Sequence, residues 1–240
     1  MSTHQVFSNA DACIINIGYT GEISVCGIIG YTGSMQVPSI LTDGLTNLEY
    51  RGYDSSGVAI IDTSGDIVVR KSTGKLVELI LSLQSDPIQG TTGIGHTRWA
   101  THGEPNHTNA HPHVDCSSSL TVVHNGIVEN YRQIKDELLS QGHIFKSDTD
   151  SEVIPHLIET GLSDGLTLDK SIKNAAMKLR GAHAVVIMSK DNPNHIFAFK
   201  LGNAGGIVIG KTSDGMILAS DLPAVMPYTH QVSYLEPGEL

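Results

Sequence analysis

A chain of 240 residues that is 40% hydrophobic and 17% charged can bury one sizeable core, so a single soluble globular unit is expected. Its formal net charge of -10 argues against a general nucleic-acid or membrane-surface binder, because both surfaces are polyanionic and repel it at long range. Three sparse cysteines, Cys13, Cys26 and Cys116, lack Cys-x-x-Cys spacing, so neither a disulfide framework nor a zinc site is indicated, a usage that suits a reducing cytoplasm.

From the amino terminus, the apolar stretch Ala12 to Gly18 is too short and interrupted to span a bilayer, and no basic region precedes it as an export signal requires. Val37, Ile40, Leu41, Leu45 and Leu48 recur at helical spacing, as do Leu76, Leu79, Ile80 and Leu83. Between these two helices, residues 56–62 and 67–70 flank Thr63-Ser64-Gly65-Asp66 in the manner of a hairpin. Strands are expected at 92–95, 120–124, 184–188, 195–199, 207–209 and 216–219, and helices at 129–140, 151–160 and 168–179. Short strands with helices grouped in runs imply an α+β protein with antiparallel sheets covered by helices.

Polar chemistry concentrates in five segments. Cys26-Gly27-Ile28-Ile29-Gly30, taken alone, reads as a structural thiol ahead of an apolar strand. Leu48 to Gly57 packs Glu49, Arg51 and Asp54 between an apolar helix and a glycine, where a solvated loop and a substrate loop are equally compatible. His96-Thr97-Arg98-Trp99-Ala100-Thr101-His102-Gly103 brings together a cation, two hydroxyls, two imidazoles and the only Trp. His96, His102, His107, His111 and His113 lack a helical His-x-x-x-His pair or a nearby carboxylate set, so no metal site is read from them; an anion clamp on Arg98 fits better, because a guanidinium fork matches a carboxylate with two parallel hydrogen bonds. Val122-Val123-His124-Asn125-Gly126 can be read as a strand ending in a type I′ hairpin, and Ser147 to Glu152 as a helix N-cap on Asp150 or Ser151.

Taken together and in order, Cys-Gly-Ile-Ile-Gly, Leu-Glu-Tyr-Arg-Gly-Tyr-Asp-Ser-Ser-Gly, His-Thr-Arg-Trp-Ala-Thr-His-Gly, Asn109-Ala110-His111-Pro112-His113, His-Asn-Gly-Ile-Val-Glu-Asn and Asp-Thr-Asp-Ser-Glu resemble the glutaminase domain of the glutamine:fructose-6-phosphate aminotransferases, within the class II, N-terminal-nucleophile amidotransferases. The resemblance runs from Cys26 to about Leu240. The Tyr-Arg-Gly-Tyr-Asp and Arg-Trp-Ala-Thr-His wording separates it from the amidophosphoribosyltransferases, the alternative within the class. It implies a four-layer α/β/β/α sandwich of two antiparallel sheets, hydrolysis of L-glutamine to glutamate and ammonia, and no cofactor or metal.

The resemblance also implies roles. Cys26 is the nucleophile, its own free α-amino group the base, and Asn125 with the Gly126 backbone N–H the oxyanion donors. Arg98, Thr101 and His102 bind the glutamine α-carboxylate and Asp150 its α-ammonium, while Trp99 belongs to the gate or the ammonia path. Two departures follow. Residues 1–25 precede a nucleophile that should be first in the mature chain, so they are expected to be a leader, a propeptide or sequence ahead of a start at Val25; left in place, they would make the chain a noncatalytic glutamine-binding precursor. The sugar-isomerase domain that the family joins to this one, in a protein expected to be a homo-oligomer, is absent from these 240 residues.

Overall fold

A computed structural model of the protein describes residues 26–99, 104 and 106–240. The expected leader, residues 1–25, lies outside the described residues. In chain order the elements are β1 (Gly27–Gly33), α1 (Val37–Asn47), β2 (Ser55–Ile61), β3 (Ile67–Thr73), α2 (Leu76–Ser85), β4 (Thr92–Arg98), β5 (His113–Val114), β6 (Leu120–Gly126), α3 (Tyr131–Ser140), α4 (Val153–Ser163), α5 (Leu168–Lys178), β7 (His183–Ser189), β8 (Ile196–Leu201), β9 (Val208–Lys211), β10 (Gly215–Ala219) and β11 (Val232–Tyr234).

The strands form two antiparallel sheets. The larger has seven strands in the order β11-β9-β10-β1-β4-β2-β3, and the smaller has four in the order β5-β6-β7-β8. Each sheet is covered outside by helices and inside by the other sheet, which gives the α/β/β/α layering. Three apolar clusters mark the layers: Ile29, Leu41, Leu45 and Leu79 join α1 and α2 to the large sheet; Val122, Ile134, Ile154 and Ile172 join α3, α4 and α5 to the small sheet; Ile28, Ile94, Val123 and Val186 fill the space between sheets. Burial of both faces explains why β2 and β4 are buried at every residue and read as continuous rather than alternating strands.

Local chemistry agrees with this arrangement. Pro38 sits in the first turn of α1, where a missing N–H costs nothing, and Val37, Ile40, Leu41 and Leu45 form its buried stripe. Full burial of such side chains stabilises by about 1.5–3 kcal/mol each. The β2–β3 hairpin is closed by the Asp62 carboxylate, which accepts from the Ser64 and Asp66 backbone N–H groups at 2.9 and 3.0 Å.

Two local readings are corrected. Asn125-Gly126 is not a hairpin turn: both residues continue β6 and pair with Ala184 and His183 of β7, a strand almost sixty residues further on. Neither Asp150 nor Ser151 caps a helix through its side chain, because α4 begins at Val153 and both side chains are committed elsewhere. The short edge strands β5 and β11 were not expected. At two and three residues they are too brief to show alternation, and only their neighbours β6 and β9 define them.

Candidate functional site

Period-two geometry explains how the site assembles. Cys26 immediately precedes β1, two residues from Ile28, which faces the small sheet. On β4 the same inner face carries Ile94, His96 and Arg98, and on β6 it carries Val123 and Asn125. Four polar side chains therefore meet at one end of the space between the sheets, next to the apolar cluster that contains Ile28, Ile94, Val123 and Val186.

Cys26 is partly buried. Its sulfur accepts the Trp99 backbone N–H at 3.1 Å, and the thiol lies 3.6 Å from the Trp99 carbonyl oxygen. Burial pushes the Cys26 thiol above its ordinary pKa, against the opposing pull of the Trp99 N–H and the nearby Arg98 charge. At neutral pH the thiol therefore needs a base to become a nucleophile. The Gly27 N–H is held by the Thr97 hydroxyl at 3.2 Å, which fixes the strand on which the thiol stands. Gly52 packs against the Arg98–Trp99 peptide so closely that a Cβ there would lie 2.7 Å from the Arg98 carbonyl carbon. This close approach accounts for the glycine in Tyr-Arg-Gly-Tyr.

The orientation of Asn125 can be deduced from hydrogen-bond logic. His96 Nε2 lies 3.2 Å from the His124 carbonyl oxygen, which can only accept, so Nε2 carries the proton. The same N–H lies 3.2 Å from Asn125 Oδ1. The Asn125 amide nitrogen is therefore turned toward Cys26, and it donates to the Cys26 carbonyl oxygen at 2.7 Å. Burial lowers the His96 pKa to about 3, so the imidazole stays neutral and this orientation holds. Gly126 follows with φ of 134°, and a Cβ there would lie 2.2 Å from the Ala182 carbonyl oxygen. Only glycine fits.

Arg98 is buried, and Asp150 also. Burial pulls the Arg98 guanidinium below its ordinary pKa, an effect partly offset by attraction to Cys26 in its ionised form and to the Asp150 and Asp54 carboxylates. One Asp150 oxygen accepts the Val128 N–H at 2.6 Å, tying the carboxylate to the chain just past β6. A second relay ties the same region. The Arg180 carbonyl oxygen accepts from His183 Nε2 at 3.1 Å, so His183 Nδ1 accepts from His124 Nε2 at 3.0 Å, and His124 Nδ1 accepts from the Ser151 hydroxyl at 2.8 Å. The neighbour of Asp150 is thus bonded to the neighbour of Asn125.

Cys26, Asn125, Gly126, Arg98 and Asp150 are thus brought to one end of the sandwich, with Trp99 beside the thiol and its ring edge-on to Tyr53 at 5.1 Å. Thr101 and His102 lie outside the described residues. The positioning partners His96, Thr97 and Asp54 carried no role in the sequence reading. Strand alternation was the available signal for His96, since it places His96 on the face of Arg98. His111 and His113 pack beside His96, with ring centroids of His96 and His111 4.2 Å apart.

The family described as "Glutamine amidotransferase domain" matches residues 96–227. The glutamine–fructose-6-phosphate aminotransferase [isomerizing] of Pyrococcus horikoshii is 45% identical over 215 residues, covering 90% of this chain and 36% of its own length. That of Clostridium acetobutylicum is 46% identical, with coverage of 90% and 34%. The chain therefore spans about a third of the length of these relatives. Among solved structures, the glutamine phosphoribosylpyrophosphate amidotransferase of B. subtilis superposes with a TM-score of 0.74 at 31% identity, over 89% of this chain and 46% of that one. The sheet order and layering agree with that structural likeness, and the family match covers more than half of the sequence. This chain belongs to the glutamine amidotransferase domain family and has the fold of the N-terminal nucleophile hydrolases.

Proposed function

We propose that residues 26–240 are a glutaminase domain in which the Cys26 sulfur attacks the side-chain amide carbon of L-glutamine. The observation that carries this reading is the Asn125 amide nitrogen, turned by neutral His96 onto the backbone carbonyl oxygen of the residue that bears the thiol. Attack gives a tetrahedral oxyanion, received by the Asn125 amide and the Gly126 N–H. Collapse releases ammonia and leaves a thioester that water cleaves to glutamate. Arg98 takes the substrate α-carboxylate in a two-pronged contact, with Thr101 and His102, and Asp150 takes the α-ammonium. Opposite charges at the two ends select an amino acid and hold its side chain over the sulfur.

The base is the Cys26 α-amino group. A free amino terminus has a pKa of about 7.7–8.0, close enough to the pKa of a thiol for proton exchange at neutral pH, whereas a peptide nitrogen cannot accept a proton. The active form therefore begins at Cys26, by processing or by initiation at Val25, and a longer form binds glutamine without consuming it. Similarity at 45% to aminotransferases, against 31% to the phosphoribosylpyrophosphate enzyme, favours fructose-6-phosphate as the ammonia acceptor, handled by a sugar-isomerase domain of an oligomeric parent protein. Trp99 screens the ammonia path from water. Among the described residues no helix is long and apolar enough to cross a membrane, and small soluble substrates support a cytoplasmic setting.

Intact mass and glutamine turnover measured on one sample test this directly. Protein beginning at Cys26 should release glutamate and ammonia in equal amounts and form no amino sugar unless the isomerase half is added. Turnover by a chain proven to begin at Met1 removes the amine from the mechanism.

A further inference from the structure

Away from this site, on the outer side of the small sheet, four metal-binding side chains converge. Cys116 stands in the turn between β5 and β6, His143 in the connection from α3 to α4, and His156 and Glu159 on α4. One ligand atom from each lies within 4.8 Å of the others. Cys116 Sγ is 3.7 Å from His143 Nδ1 and 3.6 Å from His156 Nδ1. Zinc–sulfur and zinc–nitrogen bonds of about 2.3 and 2.0–2.1 Å at a tetrahedral angle give sulfur–nitrogen edges of about 3.6 Å. A Glu159 oxygen lies 2.9 Å from His143 Nδ1 and 3.1 Å from His156 Nδ1, a few tenths of an ångström inside the corresponding edge.

We propose that Cys116, His143, His156 and Glu159 form a structural site for a divalent transition-metal ion, with zinc the best fit. Softness and geometry both favour it, since one thiolate, two imidazoles and one carboxylate are all zinc ligands and four protein ligands close a structural site. The charges also balance, because a thiolate and a carboxylate neutralise a dication. Each imidazole presents Nδ1 to the centre. His143 Nε2 lies 3.0 Å from the Thr160 hydroxyl, whereas His156 Nε2 is buried without a hydrogen-bond partner, the nearest carboxylate oxygen being that of Glu152 at 3.8 Å. An outer partner such as Thr160 fixes the His143 ring and sharpens the ligand. His156 is buried while Cys116 is exposed, so the cluster combines an anchored ligand with access from solvent. A bound ion would staple the β5–β6 turn and the α3–α4 connection to α4.

Cobalt is the probe for the 240-residue chain without a tag, kept reduced. One equivalent of Co²⁺ should give a thiolate charge-transfer band and the intense visible absorption of a tetrahedral site, and Zn²⁺ should bleach both. Cys26→Ala should retain these spectra; Cys116→Ala and His143→Ala should lose the charge-transfer band and bind zinc at least about 100-fold more weakly, while Thr160→Val, an outer partner, weakens it about tenfold. Circular dichroism of metal-free Cys116→Ala, matched to the metal-free parent, excludes misfolding of this exposed-site variant. A parent chain without the charge-transfer band, or a Cys116→Ala chain that keeps it, overturns the proposal.

Discussion

Cys26 and Cys116 carry the same side chain into opposite surroundings. Cys26 lies at the end of the cleft between the sheets, where the Trp99 N–H touches its sulfur and the oriented Asn125 amide holds its own carbonyl. Cys116 stands on an exposed turn with two imidazoles and a carboxylate about it. Loss of solvent pushes both thiols above their ordinary pKa, so neither is a ready thiolate. The difference lies in what each thiol meets. Hydrogen-bond donors aimed at a developing oxyanion suit covalent catalysis, whereas an array of lone pairs suits a cation that removes the proton outright.

The comparison breaks most simply at the sulfur. In protein that begins at Cys26, Cys26→Ala should lower glutamine turnover by about 10⁴-fold or more, as expected when a nucleophile is removed, while Cys116→Ala should stay within about twofold. Glutamate release from the two variants measures both, and an essential Cys116 would exchange their roles. The next effect tests the side-chain amide that stands beside Cys26. Asn125→Ala should cost about 10²–10³ in kcat, or about 2.7–4 kcal/mol, with little change in KM. A variant that lost only affinity would make Asn125 a binding residue.

Arg98→Lys sharpens the electrostatic side. It keeps the charge near Cys26 but loses the planar fork, and kcat/KM should fall by about 10–100-fold, chiefly through KM. Steady-state kinetics equal to those of the parent would remove the clamp.

The smallest effect concerns the interior histidines behind Cys26. Burial holds the His96 pKa at about 3 and keeps His111, His113 and His124 well below the ordinary value. In the unfolded chain these imidazoles take up protons below about pH 6.5, and in the folded chain they do not. Stability is therefore fully present above that pH and is lost as the pH falls toward about 3. Each such group contributes a slope of up to about 1.4 kcal/mol per pH unit. His111, whose two ring nitrogens have no hydrogen-bond partner among the described residues, allows a clean test. His111→Leu should make the pH dependence of urea unfolding shallower by up to one such increment, and an unchanged slope would place the acid sensitivity elsewhere.

Most of the fold was legible because apolar spacing reports burial directly. The stripe Val37, Ile40, Leu41 and Leu45 became α1, and the runs around Ile60 and Val186 became strands. At the site, short motifs pointed to Cys26, Arg98, Asn125 and Asp150. The support beneath them was not legible. His96 orients Asn125 only because β4 and β6 lie in facing sheets, and the relay through His124, His183 and Ser151 joins three segments distant in the chain. The misread Asn-Gly and Asp-Ser pairs share this cause. Local preference favoured a turn and a cap, but strand pairing and long-range hydrogen bonds outweighed it.

The sequence by itself determined the periodicity of each element, the alternation that puts His96 and Arg98 on one face of their strand, and the residue types able to perform an acyl transfer. Only the tertiary structure decided which amide points at Cys26, which imidazoles remain neutral, and that Cys116 meets His143, His156 and Glu159. Periodicity is a property of neighbours along the chain. Protonation, orientation and ligand convergence depend on what other segments bring within about 4 Å and on how much water they exclude.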